Sequence, residues 1–189
     1  MLRPVSHHLQ ELLHHHGALR PGHTVFRSGG HSDGWIEKGS VMRHPRVLEE
    51  VARWQAAQVR EAFPAVTLLV GAPACGAVLA TLVARELDVP VAYVLTDGDL
   101  RWHRMHEPEA GYGVVYIDDL ICTGEGSRLV VDFLRTQGQE VLGVSAWVSR
   151  AALPVPLVTL LPASFETYVA AICPLCREGE AVQHVDVRE

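Results

Sequence analysis

The apolar positions of this chain recur at helical spacing near its start and then gather into short unbroken runs. Val5, Leu9, Leu12 and Leu13 repeat with helical period over residues 5–16, and Gly17 followed by Pro21-Gly22 supplies the turn chemistry that ends a short amphipathic helix. Residues 24–41 are rich in glycine (Gly29, Gly30, Gly34, Gly39) between brief apolar stretches, which predicts two short strands about a tight turn. Over 46–63, Val47, Leu48, Val51, Trp54, Ala57 and Val59 return mostly at helical spacing, and Pro64 closes that helix.

A regular alternation follows. Residues 66–70 form a continuous apolar strand, 71–76 a glycine-bounded loop and 77–87 a helix. Further strands are predicted over 91–95, 114–117 and 141–148, with a polar stretch over 96–111 and a helix over 127–137. Apolar strands without alternation, separated by helices, belong to a mainly parallel sheet covered on both faces. The expected fold is α/β: one domain over residues 1–189, a twisted, mainly parallel sheet flanked by helices, ending in a C-terminal helix and CxxC tail over 165–189. Ligands of such sheets bind at the carboxyl ends of the strands, so chemistry is expected in the loops after Val70, Leu95, Ile117 and Val148.

Composition narrows the partners. Hydrophobic residues make up 48% of the chain, too many for a disordered protein. With 22 acidic and 16 basic residues the net charge is −6, which argues against a nucleic-acid or anionic-membrane binder but leaves room for a small basic pocket holding a phosphorylated ligand. No segment approaches the about 20 uninterrupted apolar residues of a membrane span. The N-terminus, with His7, His8 and His14 to His16, lacks the apolar core of a signal peptide, so a cytoplasmic protein is expected. The histidines suit a solvated helix face. Four cysteines, Cys75, Cys122, Cys173 and Cys176, are too few for a disulfide framework at this length, leaving reduced thiols or a metal pair. All but one of the basic residues are arginine; the exception is Lys38.

The sharpest signal runs from Val114 to Ser127. An apolar strand delivers Asp118 and Asp119 to its end, and Thr123, Gly124, Glu125, Gly126 and Ser127 lead into a helix whose free N–H groups and positive dipole end favour an anion. Carboxylates suit sugar hydroxyls or a hydrated Mg²⁺; the loop suits a phosphate. Taken alone, the acidic pair could also do no more than cap the following turn. The whole run resembles the hallmark of the type I phosphoribosyltransferases: four apolar residues, two acidic, two mostly apolar, then a Thr/Gly/Ser-rich loop. The resemblance implies that Asp118 and Asp119 hold the ribose hydroxyls of phosphoribosyl pyrophosphate (PRPP), with Mg²⁺ as cofactor, and that residues 123–127 cradle its 5-phosphate. Cys122 stands where threonine is frequent, and Glu125 brings a negative charge beside the loop.

Three more segments resemble the orotate branch of that family. Residues 26–32, Phe-Arg-Ser-Gly-Gly-His-Ser, are similar to its N-terminal motif, which implies a hood over the base formed by residues 20–40, with Arg27 at the basic position and Trp35 as an aromatic neighbour. Core packing is the alternative role for Trp35. Residues 70–76 are similar to the family's pyrophosphate loop, in which backbone N–H groups around Ala74, Cys75 and Gly76, often arranged through a strained peptide bond, hold the leaving group. Arg150, just past the last predicted strand, matches the arginine placed on the pyrimidine; a planar guanidinium suits a carboxylate-bearing, carbonyl-rich ring.

The polar stretch over 97–111 reads as a lid. In the orotate branch its counterpart carries lysines and a histidine that cover the pyrophosphate across a homodimer. Here there is no lysine, and Arg101, His103, Arg104 and His106 are the candidates, against an inert lid or one serving another ligand. Cys173-Pro174-Leu175-Cys176 is a single CxxC pair: zinc is one reading, with His184 as at most a third ligand, and a packed turn is another. The resemblance implies orotate phosphoribosyl transfer from PRPP. A phosphoribosyltransferase for another base and a non-catalytic PRPP or nucleotide sensor are the alternatives.

Overall fold

The computed structural model describes residues 5–149 and 151–185. The chain divides into two compact units, Met1–His44 with Ala163–Glu189, and Pro45–Pro162. In chain order the elements begin with α1 (Val5–His15), β1 (Leu19–Phe26), β2 (His31–Ile36) and α2 (Gly39–Met42). The second unit holds α3 (Pro45–Ala62), β3 (Leu68–Gly71), α4 (Cys75–Leu87), β4 (Val91–Leu95), β5 (Arg101–Trp102), β6 (Gly113–Ile117), β7 (Leu120–Ile121), α5 (Glu125–Thr136), β8 (Glu140–Ser149) and β9 (Leu157–Leu161). The chain then returns to the first unit with β10 (Thr167–Tyr168), a 3₁₀ turn (Ala170–Ile172), α6 (Pro174–Glu178) and β11 (Gln183–Val185).

In the second unit the strand order is β5-β4-β3-β6-β8, and every pairing is parallel except that of β5 with β4. Each residue of β3 and β6 is buried, which is why these strands read as unbroken apolar runs. β7 lies on the same side of β8 as β6 and continues its register, Ile117 facing Ser145 and Leu120 facing Val148, while β9 pairs with the other side. One line of chain is thus interrupted at Asp118-Asp119, and those two residues still bond to β8: Ser145 O accepts the Asp118 N–H at 3.0 Å, and Asp119 O accepts from Trp147 N at 3.0 Å. α3 presents Leu48, Val51, Ala52, Gln55, Ala56 and Val59 to the core; Ala57, expected on that face, is exposed.

In the first unit the sheet order is β10-β2-β1-β11. β1 and β2 form the expected hairpin, closed by Phe26 N to Gly30 O at 2.9 Å with Gly29 at φ +86° in the turn. α1 ends as its sequence predicts: Gly17 sits at φ +59°, its N–H reaches His14 O at 2.9 Å, and Ala18 N reaches Leu13 O at 2.8 Å. This paired closure satisfies the last carbonyls of the helix. The C-terminal tail departs from expectation. It contains a 3₁₀ turn and a helix of only five residues, α6, and its strands pair with the hairpin, β11 running parallel to β1 and β10 antiparallel to β2. Among the described residues no helix is long and apolar enough to cross a membrane.

Candidate active site at the carboxyl ends of β3 and β6

β3 and β6 are paired in register, Gly71 opposite Ile117, so the loops that follow them start side by side. The turn after β3 can close only on glycine: a β-carbon on Gly71 would stand 2.3 Å from Gly76 O and 2.9 Å from Ala77 Cα. Gly76 in turn lies against the end of β6, where a β-carbon would meet Ile117 O at 3.1 Å and Asp118 Oδ1 at 3.6 Å. Of the pyrophosphate-loop candidates Ala74, Cys75 and Gly76, the last is thereby brought beside Asp118. The Pro73–Ala74 peptide bond in this loop is cis. Cys75 opens α4, and the Ala77 N–H closes back on Ala72 O at 2.9 Å, fixing the loop at the positive end of that helix.

The two carboxylates are not equivalent. Successive side chains of an extended segment point to opposite sides, and here Asp119 is 1% exposed whereas Asp118 is half-buried. The expected delivery of both to an exposed strand end therefore holds for Asp118 alone. Asp119 Oδ1 accepts the Leu120 N–H at 2.9 Å and fixes the turn into β7. Asp118 Oδ1 accepts the Asp119 N–H at 2.9 Å, and Oδ2 accepts the Tyr116 hydroxyl at 3.1 Å. Burial pushes the Tyr116 phenol well above its ordinary range, and the negative charge of Asp118 acts in the same direction, so the hydroxyl stays a proton donor to Asp118. Behind this pair, the buried Gln55 amide donates to Ser145 Oγ at 3.1 Å and to the Asp118 carbonyl at 3.5 Å.

Tyr116, Gln55 and Ser145 were not expected from the sequence. Tyr116 carried a signal, since it lies two residues before Asp118 and so on the same side of the strand. Gln55 is four residues from both Val51 and Val59, a polar residue on the apolar stripe of α3.

The phosphate-loop candidates occupy the start of α5. Gly124 caps the helix at φ +78°, and a β-carbon there would meet Leu153 Cδ2 at 2.8 Å and Ala151 Cβ at 3.0 Å. Glu125 and Gly126 are exposed in the first turn and Ser127 is buried; Thr123 is exposed and its Oγ1 accepts the Glu125 N–H at 3.4 Å. The Glu125 side chain is exposed to solvent, leaving the positive helix end for an anion.

The polar stretch after β4 is more ordered than a simple lid. β5 turns back along β4 with Arg101 opposite Leu95 and Trp102 opposite Val94, and Trp102 is buried edge-on against Phe133. Arg101 stands at the carboxyl end of β4, ion-paired to Asp97 at 3.0 Å. His103 N bonds to Tyr93 O at 2.8 Å, and His106 stacks on Tyr93 with ring centroids 4.1 Å apart and its Nδ1 3.3 Å from Val91 O. His106 therefore lies toward the amino end of β4, at the opposite end of that strand from Arg101. Arg104 is exposed.

Arg150 lies outside the described residues. Arg27 is exposed in the β1–β2 turn, and Trp35 is half-buried on β2 opposite Arg20. Cys173 and Cys176 come together with His23 and His31. His184, at most a third ligand in the zinc reading, is exposed on β11 opposite Val25, because the parallel pairing to β1 carries it away.

No protein-family model matches the chain. Among solved structures, the orotate phosphoribosyltransferase of Aeropyrum pernix superposes with a TM-score of 0.70 at 23% identity, covering 82% of this chain and 93% of that one. The adenine phosphoribosyltransferase of Rhodothermus marinus superposes at 0.61 with 21% identity, covering 80% and 97%. The fold is that of the type I phosphoribosyltransferases. Among curated proteins, the orotate phosphoribosyltransferase of Caldicellulosiruptor bescii is 32% identical over 168 residues, 86% of this chain and 87% of its own. That of Carboxydothermus hydrogenoformans is 30% identical over 170 residues, 87% of this chain and 89% of its own. Identity at this level along nearly the whole of both sequences reaches beyond a shared fold to shared descent, and the chain belongs to the orotate phosphoribosyltransferase family.

Proposed function

We infer that the protein transfers the phosphoribosyl group of PRPP to orotate, giving orotidine 5′-monophosphate and pyrophosphate. The observation that carries this reading is the approach of Gly76 to Asp118. It sets a loop suited to a diphosphate beside a carboxylate suited to ribose hydroxyls, with the start of α5 further along the same line of chain. Bond cleavage at the anomeric carbon builds positive charge on the ribose ring as pyrophosphate leaves. No nucleophilic side chain is needed; positioning and charge stabilisation suffice.

Each group then has a task. Backbone N–H groups at 74–76 hold the leaving diphosphate, those at 124–127 hold the 5-phosphate, and Asp118 orients the ribose. Asp119, buried beneath it, keeps the turn in shape. Arg101 and Arg104 supply cations for the diphosphate. Arg27, Trp35 and Arg150 serve the base, the assignment resting on the family resemblance. A Mg²⁺ ion suits this donor set, since Asp118 is a partly exposed carboxylate at the strand end, and Mg²⁺ is held by one or two carboxylates, keeps most of its waters and takes further ligands from substrate phosphates. When bound, that ion neutralises charge on the leaving group. A homodimer and a cytoplasmic location complete the reading, the latter in keeping with a cysteine count too low for a disulfide framework.

The test is turnover with PRPP, Mg²⁺ and a panel of bases, followed by orotate loss and nucleotide formation. Orotate consumption is expected. Consumption of a different base, or PRPP binding without turnover of any base, overturns the assignment.

A further inference from the structure

The first unit brings four metal-ligating side chains to one point. His23 on β1, His31 on β2, Cys173 just before α6 and Cys176 within it each offer one ligand atom, and the four atoms lie within 4.8 Å of one another. Cys173 Sγ and Cys176 Sγ are each 3.6 Å from His23 Nε2, Cys176 Sγ is 3.3 Å from His31 Nδ1, and the two imidazole nitrogens are 2.9 Å apart. A tetrahedral zinc with Zn–S near 2.3 Å and Zn–N near 2.05 Å has edges of about 3.5 Å between S and N and about 3.3 Å between N and N. The three S–N separations match these edges, and the N–N edge needs to open by only about 0.4 Å to match as well.

The surroundings fit the same reading. His23 Nδ1 lies 3.1 Å from the Glu180 carbonyl oxygen. A carbonyl only accepts, so Nδ1 carries the proton, and Nε2 presents its lone pair to the two sulfurs and to His31. A second partner that fixes tautomer and ring orientation in this way is the usual companion of a metal-bound histidine. His23 and Cys173 are both 1% exposed, while Cys176 is exposed and opens a route for an ion. We propose that His23, His31, Cys173 and Cys176 bind one Zn²⁺ ion. Four protein ligands close the coordination sphere, so the ion acts as a clasp that ties the C-terminal segment to the β1–β2 hairpin and takes no substrate. Binding converts both thiols to thiolates and releases their protons.

The test uses the full chain without an affinity tag, purified without chelator. Elemental analysis is expected to find one zinc per chain in the wild type and, in Cys176→Ser and His31→Gln, less than about a tenth of that, because loss of one ligand of four abolishes tight binding. A His14→Gln/His15→Gln variant keeps its zinc, which separates this site from the N-terminal histidines. Since a ligand variant can lose metal simply by misfolding, the unmutated protein is also stripped and reloaded with Co²⁺. A thiolate-to-cobalt charge-transfer band with intense tetrahedral visible bands is expected. Cobalt bound without the thiolate band, zinc content unchanged in Cys176→Ser, or a Cys173–Cys176 disulfide in the protein as isolated overturns the proposal.

Discussion

Asp118 is held by a donor that does not titrate in the working range. Burial comes first among the causes that raise the Tyr116 phenol and the Asp118 charge comes second, so the hydroxyl keeps its proton at any pH at which the protein is assayed. Tyr116→Phe retains the ring in the core and removes one hydrogen bond to a half-exposed carboxylate that water can partly replace. The expected cost is about 1 kcal/mol in urea unfolding, with a threefold or so rise in the KM for PRPP. The alkaline limb of the pH–rate profile is expected to be the same in wild type and variant; a limb that moves would mean that Tyr116 ionises in the active enzyme. Asp118→Asn removes the charge itself, with an expected rise of about tenfold in the KM for PRPP, equivalent to about 1.4 kcal/mol.

At the scale of elements, the start of α5 offers a contrast between two glycines. Gly124 is fixed at φ +78° with Leu153 and Ala151 against it, so Gly124→Ala is expected to lose at least about 1–2 kcal/mol of stability and expression with it. Gly126 has open space where a β-carbon would go, and alanine there favours the helix by about 0.5 kcal/mol. Gly126→Ala is therefore expected to raise the melting temperature slightly while raising the KM for PRPP, because the new methyl occupies the space a phosphate would approach. A variant that is stabilised with an unchanged KM would remove this loop from the phosphate site.

The same scale decides what the sequence could reveal. α3, α5, β3, β6 and β8 were legible because their periods extend over enough residues to be counted, and the Asp118 strand end was legible because a buried strand running into glycines is a local pattern. β5, β7, β10 and β11 have two or three residues each, too few to carry a period, and they exist only through the partner strands they pair with. β9 was obscured by Pro154, Pro156 and Pro162, which lie just outside it and so remove no donor from its pairing to β8. Half of the His/Cys cluster was visible as CxxC, but His23 and His31 lie about 150 residues away and reach the cysteines only through the β1·β11 and β2·β10 pairings.

Across the whole molecule, His16 ties stability to acid. His16 sits at the end of α1, its ring centroid 5.2 Å from that of His15 and 5.1 Å from that of His44. The negative end of a helix favours a protonated histidine, yet the His16 pKa is lowered from 6.5, with burial as the largest cause, followed by the charges of His44 and His15. Desolvation and like charge both act against the protonated ring. The unfolded chain takes up a proton near pH 6.5 while the folded His16 resists it to lower pH, so over that window the unfolded state holds more protons. Stability from this group is fully present above pH 6.5 and is lost as the pH falls toward the folded value. His16→Gln, which cannot charge, is expected to flatten the fall in urea midpoint between pH 7 and pH 5 without changing the midpoint at pH 8. Protonation of the proposed zinc ligands acts in the same direction, but it is common to both proteins, so the difference between the two curves isolates His16. Parallel curves for variant and wild type would show that the acid response of the first unit originates elsewhere.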